Sequence, residues 1–204
     1  MPIADSKIVL LKAVELCVAV FRGPGAPLWA AMTDSGVPEL LSSVQHYSGF
    51  PTGPLSRLRK GLRGCAGDYG ILETEYVRLF IAGPGGVPAP LYASCHLGGG
   101  SRTMGRPALD MRDRLAAAGL AVDLDSNEPP DHLAIELEYL YHLLASGWTG
   151  DDPAPAVQGV EFATTVMRPW VRRFRDTLAK ADPHPVFLAA ADLVVGVLES
   201  VPHA

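Results

Sequence analysis

The sequence predicts an all-α protein built as a single helical bundle, and three observations carry that expectation. Apolar residues recur at helical spacing in every long segment, no run of alternating β-branched residues is closed by hairpin turns, and no repeat of fixed period is present. At 204 residues the chain is near the upper size that one core organises, so one domain over residues 1–204 is expected. A hydrophobic fraction of 48% with 19% charged residues is too apolar for a disordered chain and supplies a real core.

The elements follow in order. Residues 6–21 carry Ile8, Leu11, Leu16 and Val20 at near-helical intervals, and Gly23-Pro24-Gly25 stops that helix. Between 27 and 64, short apolar groups at 28–32, 40–47 and 55–62 are separated by Gly36, Pro38, Gly49, Pro51 and Pro54, which predicts short helices. Asp68 is the expected N-cap of a helix on which Leu72, Tyr76, Leu79 and Phe80 share one face at offsets of 4, 7 and 8. Residues 83–90, rich in glycine and proline, cannot sustain a helix, and 98–101 mark a second flexible stretch. Helices are expected at 107–118 and 131–145, the latter with a stripe of Leu133, Leu137, Leu140 and Leu144. Phe162, Val166, Trp170, Phe174 and Leu178 predict another helix, kinked or restarted at Pro169. A last helix over 185–201 carries Phe187, Val194 and Leu198.

Composition excludes several function classes. A formal net charge of −5 argues against nucleic acid as the partner, since phosphate binding needs a basic face. An acidic surface suits a basic client. The first twelve residues lack a secretory signal pattern, and no window offers the roughly 20 uninterrupted apolar residues of a membrane span. A soluble protein of the reducing cytoplasm is expected, with Cys17, Cys65 and Cys95 too widely spaced for a disulfide framework or a zinc knuckle. The two glycine-rich stretches lack the spacing of a phosphate loop, and neither follows a strand. His132 and Glu136 stand four apart on one helical face, yet no third metal ligand has a suitable spacing. An acid–base pair of Asp131 and His132 is equally weak, because adjacent residues at a helix start rarely converge on one atom. No enzyme activity and no cofactor are expected.

The most informative segment is Glu128-Pro-Pro-Asp-His-Leu-Ala-Ile-Glu-Leu-Glu-Tyr-Leu140. Its prolines fix an extended approach, Asp131 sits where an N-cap belongs and His132 takes the first turn. A cap does not require the neighbouring histidine. The run Glu-Pro-x-Asp-His followed by an apolar Glu-Leu-Glu-Tyr helix resembles the signature of the TorD/DmsD/NarJ redox-enzyme maturation chaperones. Three further segments are similar to that family in order and interval: Glu75-Tyr-Val-Arg-Leu-Phe80, Pro90-Leu-Tyr-Ala-Ser94, and Met167-Arg-Pro-Trp-Val-Arg-Arg-Phe174 with His184-Pro-Val-Phe187. The resemblance covers about residues 70–200.

The resemblance implies a cytoplasmic, all-α chaperone without catalytic activity. It would bind the twin-arginine signal peptide on the catalytic subunit of a molybdenum-cofactor oxidoreductase, assisting cofactor loading before export. Local physics accommodates such a ligand, since arginines need carboxylates beside an apolar groove. Glu128 and Asp131 supply the first, while Tyr76, Leu79, Phe80 and Tyr92 line the second. Carry-over onto matching positions adds Pro90, Ser94, Pro129 and His132. Tyr92 stands where relatives often have tryptophan, and His96 where a second aromatic is common, implying a narrower or more polar groove. The glycine-rich 98–106 stretch reads as a hinge, so either a monomer or a dimer with exchanged helices fits. The alternative is a non-catalytic assembly subunit that stays attached to a partner oxidoreductase, and purification separates the two, because a chaperone is recovered free of the mature enzyme.

Overall fold

Helix α1 (Asp5–Phe21) buries Val9, Leu10, Ala13, Val14, Cys17, Val20 and Phe21 along one side, and it ends where Gly23 turns to φ +75°, a conformation that favours glycine. The computed structural model describes residues 5–44, 50–83, 85–97, 103–122 and 128–203. Apart from two isolated backbone bridges, its regular elements among those residues are helical, as the spacing predicts. After α1 come α2 (Ala26–Ala31), α3 (Val37–Val44), α4 (Thr52–Gly64), α5 (Gly70–Tyr76), α6 (Ala93–Leu97), α7 (Arg106–Ala117), α8 (Leu133–Thr149), α9 (Ala154–Glu161), α10 (Arg168–Lys180) and α11 (Pro185–Ser200).

Helix α11 is the hub, because its apolar residues run round most of its circumference and α4, α10 and α1 all pack on it. A helix apolar all round has to be buried. On the other side of α1 lies α8, whose stripe of Leu133, Leu137, Leu140 and Leu144 is fully buried. Four phenylalanines join the layers: Phe80 lies edge-on to Phe21 at 6.0 Å and to Phe187 at 5.4 Å, and 6.3 Å from Phe174. Burial pushes the Cys17 thiol well above its ordinary range, so it packs as an inert small hydrophobe.

The structure departs from the sequence-based expectations in two places. Asp68 does not cap α5; Tyr69 holds that position, and no side chain bonds the helix start. Helix α9 begins at Ala154, ahead of Phe162, the first residue the apolar spacing places in that helix, because Pro153 and Pro155 start it where a missing N–H costs nothing. As expected, the helix restarts at Pro169, which stands in the first turn of α10. A π-helical segment over Phe162–Met167 leads into the first turn of α10, and the Thr164 and Thr165 hydroxyls donate to the carbonyls of Val160 and Glu161, each at 2.8 Å. The proposed hinge falls partly on residues 98–102, outside the described residues.

The tightest helix contact lies between α8 and α9. A Cβ added at Gly147 would stand 2.2 Å from the Ala156 nitrogen, so Gly147→Ala forces the helices apart. Loss of about 2 kcal/mol or more is expected in urea unfolding of that variant, whereas Gly64→Ala, with nothing near its Cβ, should unfold at or slightly above the wild-type midpoint.

Candidate functional site

The site is organised by a short antiparallel contact between two proline-bordered segments. Ala93 N–H donates to the Asp131 carbonyl at 3.0 Å and Leu133 N–H to the Leu91 carbonyl at 2.8 Å, placing Tyr92 opposite His132. Pro90 on one side and Pro129-Pro130 on the other lack N–H groups, so the pairing stops there. Asp131 is fully buried. Its Oδ2 accepts the Ser94 N–H at 2.8 Å and the Ser94 hydroxyl at 2.5 Å, and the same hydroxyl accepts Gly105 N–H at 3.1 Å. Ser94 lies in the first turn of α6 and Gly105 immediately precedes α7. Asp131 therefore caps α6 from 37 residues away and, through Ser94, steers the start of α7.

This corrects the expected capping of α8. Asp131 has turned to α6, and His132 is the N-cap, its backbone extended at φ −71°, ψ 137° and its Nδ1 accepting Ala134 N–H at 3.2 Å. An accepting Nδ1 requires a neutral ring with its proton on Nε2. Burial pushes the His132 pKa down to about 4; the Arg22 charge acts in the same direction, and Glu128 and Asp131 oppose it. The cap is thereby preserved through the physiological range.

Tyr92 is half-buried beside His132, their rings edge-on at 5.3 Å, and its hydroxyl donates to Glu128 Oε2 at 2.9 Å. Burial and that bond push the phenol pKa up. Tyr76, also half-buried, donates to the Phe21 carbonyl at 3.0 Å, and its ring covers Gly23, where a Cβ would stand 2.9 Å from a ring carbon; burial pushes its pKa up to about 12. The Pro90 carbonyl receives His96 Nε2 at 2.8 Å, and the Pro129 carbonyl accepts His132 N–H at 3.1 Å. His96 stacks on Trp170 at 5.8 Å with 20° between the planes. It fills an aromatic's place with a ring that also holds the backbone.

The structure brings Tyr76, Pro90, Tyr92, Ser94, Glu128, Pro129, Asp131 and His132 to one region but separates two of the residues expected there. Leu79 is fully buried and Phe80 nearly so; both belong to the core, because Phe80 is enclosed by Phe21, Phe174 and Phe187. Asp131 has no face open to an incoming arginine, and its Oδ1 is buried without a hydrogen-bond partner. Both residues of the His132–Glu136 pair have partners within the fold. The Nδ1 of His132 is engaged, and Glu136, buried, accepts Trp170 Nε1–H at 2.9 Å. Burial pushes the Glu136 pKa up to about 8, which favours a neutral carboxylic acid. Among the described residues no cluster of three or more His, Cys, Asp or Glu side chains is arranged to hold a metal.

Sequence reading missed two residues of this region. Arg22, just past α1, forks onto the Glu138 carboxylate of α8, 116 residues away. Nothing local in either segment signals the pair.

The four segments that build this arrangement lie largely within residues 59–176, and those residues match the model of the family described as the nitrate reductase delta subunit. The chain belongs to that family. Its relatives include the chaperone protein TorD of Vibrio cholerae serotype O1 (strain ATCC 39541), 31% identical over 136 residues, which make up 65% of this chain and 61% of the relative. The chain thus spans less than two thirds of that relative's length. TorD of Escherichia coli O45:K1 is 33% identical over 91 residues, 44% of this chain and 46% of that protein. Among solved structures, a putative redox enzyme maturation protein from Archaeoglobus fulgidus superposes with a TM-score of 0.58 at 20% identity, covering 90% of this chain and 91% of that one. That likeness shows the shared fold. The family's matched span ends before α11, so the similarity of His184-Pro-Val-Phe187 lies outside it.

Two outcomes test the site's energetics. Asp131→Ala leaves the Ser94 amide without its acceptor and should cost about 2–3 kcal/mol in urea unfolding, whereas Asp131→Asn keeps an acceptor and should cost less. For Glu136, the folded pKa lies above the unfolded value, so its stabilising share is full below pH 4.5 and is lost as pH rises through about 8. His132 acts in the opposite sense, its share full above pH 6.5 and lost as pH falls towards 4. Between pH 6.5 and 8 only Glu136 of the two contributes a slope, and unfolding midpoints of Glu136→Gln across that window should fall less than those of wild type.

Proposed function

We propose that this protein is a non-catalytic maturation chaperone which binds the twin-arginine signal segment of a molybdenum-cofactor oxidoreductase catalytic subunit before export. The observation that carries the reading is membership of the nitrate reductase delta subunit family together with TorD relatives at about 30% identity. Local geometry supports it. Glu128 and Tyr92 form a half-buried carboxylate–phenol pair beside Tyr76, which sets a charged acceptor against aromatic surface. No helix among the described residues is long and apolar enough to cross a membrane, and the protein acts in the cytoplasm, where the signal segment is still attached.

Burial of Asp131 moves the arginine-binding role to Glu128 and leaves Asp131, Ser94 and His132 to hold the shape of the site. Calorimetric titration with the signal peptide of the client oxidoreductase tests this division. Glu128→Gln should weaken binding by about 1–3 kcal/mol and flatten its salt dependence, because a charge-assisted contact is lost. Tyr92→Ala should weaken it with little change in salt dependence, through lost apolar area. Wild-type affinity in both variants, with helicity intact, would remove this face as the binding site.

A further inference from the structure

The Arg22–Glu138 fork is a polar feature beside the site that the proposed recognition leaves unused. Arg22 donates its amide to the Val18 carbonyl at 3.0 Å, closing α1. Its side chain crosses to α8, where Nε meets Glu138 Oε1 at 3.0 Å and Nη2 meets Oε2. The two side chains are 37% and 46% exposed. Next to the fork opens a cavity of about 330 Å³ walled by Leu115, Leu120, Val122, Ile135 and Tyr139, with His142 beside them. The neighbours of Arg22 in the chain reach the site directly: Phe21 accepts the Tyr76 hydroxyl and Gly23 lies under the Tyr76 ring. Arg22 and Glu128 both act electrostatically on Tyr76 and His132.

We propose that Glu138 is an arginine-binding carboxylate of the client site, occupied in the unliganded chain by Arg22 as a resident guanidinium that a client arginine displaces. The proposal rests on the reading that the chain binds a twin-arginine segment, and it adds a second acceptor to Glu128. The two-limbed contact is the geometry by which a carboxylate accepts a guanidinium. Arg22 shows, within the chain itself, the chemistry that Glu138 takes. A fork this exposed contributes little to stability, so releasing it costs little. Exchange replaces one guanidinium with another on the same oxygens, leaving the charge count unchanged. The net drive then comes from the apolar residue of the client that enters the adjoining cavity. Such exchange selects arginine over lysine, because an ammonium cannot reproduce both limbs.

Titration of a signal peptide carrying the arginine pair, and of its double-lysine counterpart, tests the proposal with the full chain. Arg22→Ala should bind the arginine peptide about 3–10-fold more tightly, since a bound competitor has been removed. Arg22→Lys should tighten binding less. Glu138→Gln should bind it about 10-fold more weakly and lose much of the preference for arginine over lysine. The double variant should behave as Glu138→Gln alone, because freeing a carboxylate that is absent brings no gain. If wild type binds the arginine peptide while Arg22→Ala and Glu138→Gln keep wild-type affinity and preference, the exchange is overturned and the recognition reading stands. Weaker binding by Arg22→Ala also overturns it. Failure of wild type to bind either peptide removes the recognition reading and the exchange together.

Discussion

The buried Asp131 carboxylate is the constraint on which the site depends. One oxygen receives both the amide and the hydroxyl of Ser94, so a charged group on the approach to α8 holds the start of α6. A buried carboxylate is costly unless it is hydrogen-bonded, and that cost makes the geometry specific: any shift between the segments strands the charge or the Ser94 donors. The short backbone pairing of Leu91 and Ala93 with Leu133 and Asp131 fixes the register, and prolines on both sides prevent it from sliding or extending.

A second set of contacts closes the same region from the α10 side. Glu136, one turn beyond the His132 cap, accepts the Trp170 indole N–H; Trp170 stacks on His96; and His96 bonds the Pro90 carbonyl. Arg173 then donates to the His96 carbonyl at 2.9 Å, at the end of α6. Starting from Asp131, the contacts run through α6 to α10 and back to α8. Three helices distant in sequence are thus locked around Tyr92, which explains how a short segment between proline-rich and glycine-rich stretches can hold a tyrosine in one place.

Helical periodicity was legible wherever one apolar face was long enough to be counted, as in α1, α8 and α11. It failed at α9, whose eight residues carry only a brief apolar pattern between prolines, and at the cap of α8, where Asp131 is the better intrinsic cap but is drawn away by Ser94. The clustering of Tyr76, Tyr92, Glu128 and His132 came from family resemblance, because no local rule pairs segments 36 residues apart. Burial was the least legible property. Leu79 and Phe80 share a helical face with Tyr76, and only the positions of Phe174 and Phe187 show that this face is core beyond the tyrosine. The fork between Arg22 and Glu138 left no trace in sequence for the same reason.

The same logic recurs at the far end of the molecule and shows how its polar groups divide their work. His184 caps α11 with Nδ1 on Val186 N–H at 3.3 Å, while Glu75 of α5 accepts the His184 amide at 2.8 Å and pairs with Arg78, which in turn holds the Ala181 carbonyl. Here too a carboxylate from one helix receives an N–H at the approach to another, and a histidine kept neutral by burial completes the cap. In both joints a carboxylate is bound into a helix start: Asp131 is fully buried and the Glu75 side chain is 16% exposed. Glu128 and Glu138 are of the same chemistry but stay in contact with solvent, with Tyr92 and Arg22 respectively among their partners. Burial therefore separates chemically identical groups: the enclosed Asp131 and the largely shielded Glu75 hold helix starts, whereas Glu138 meets Arg22 at the solvent boundary.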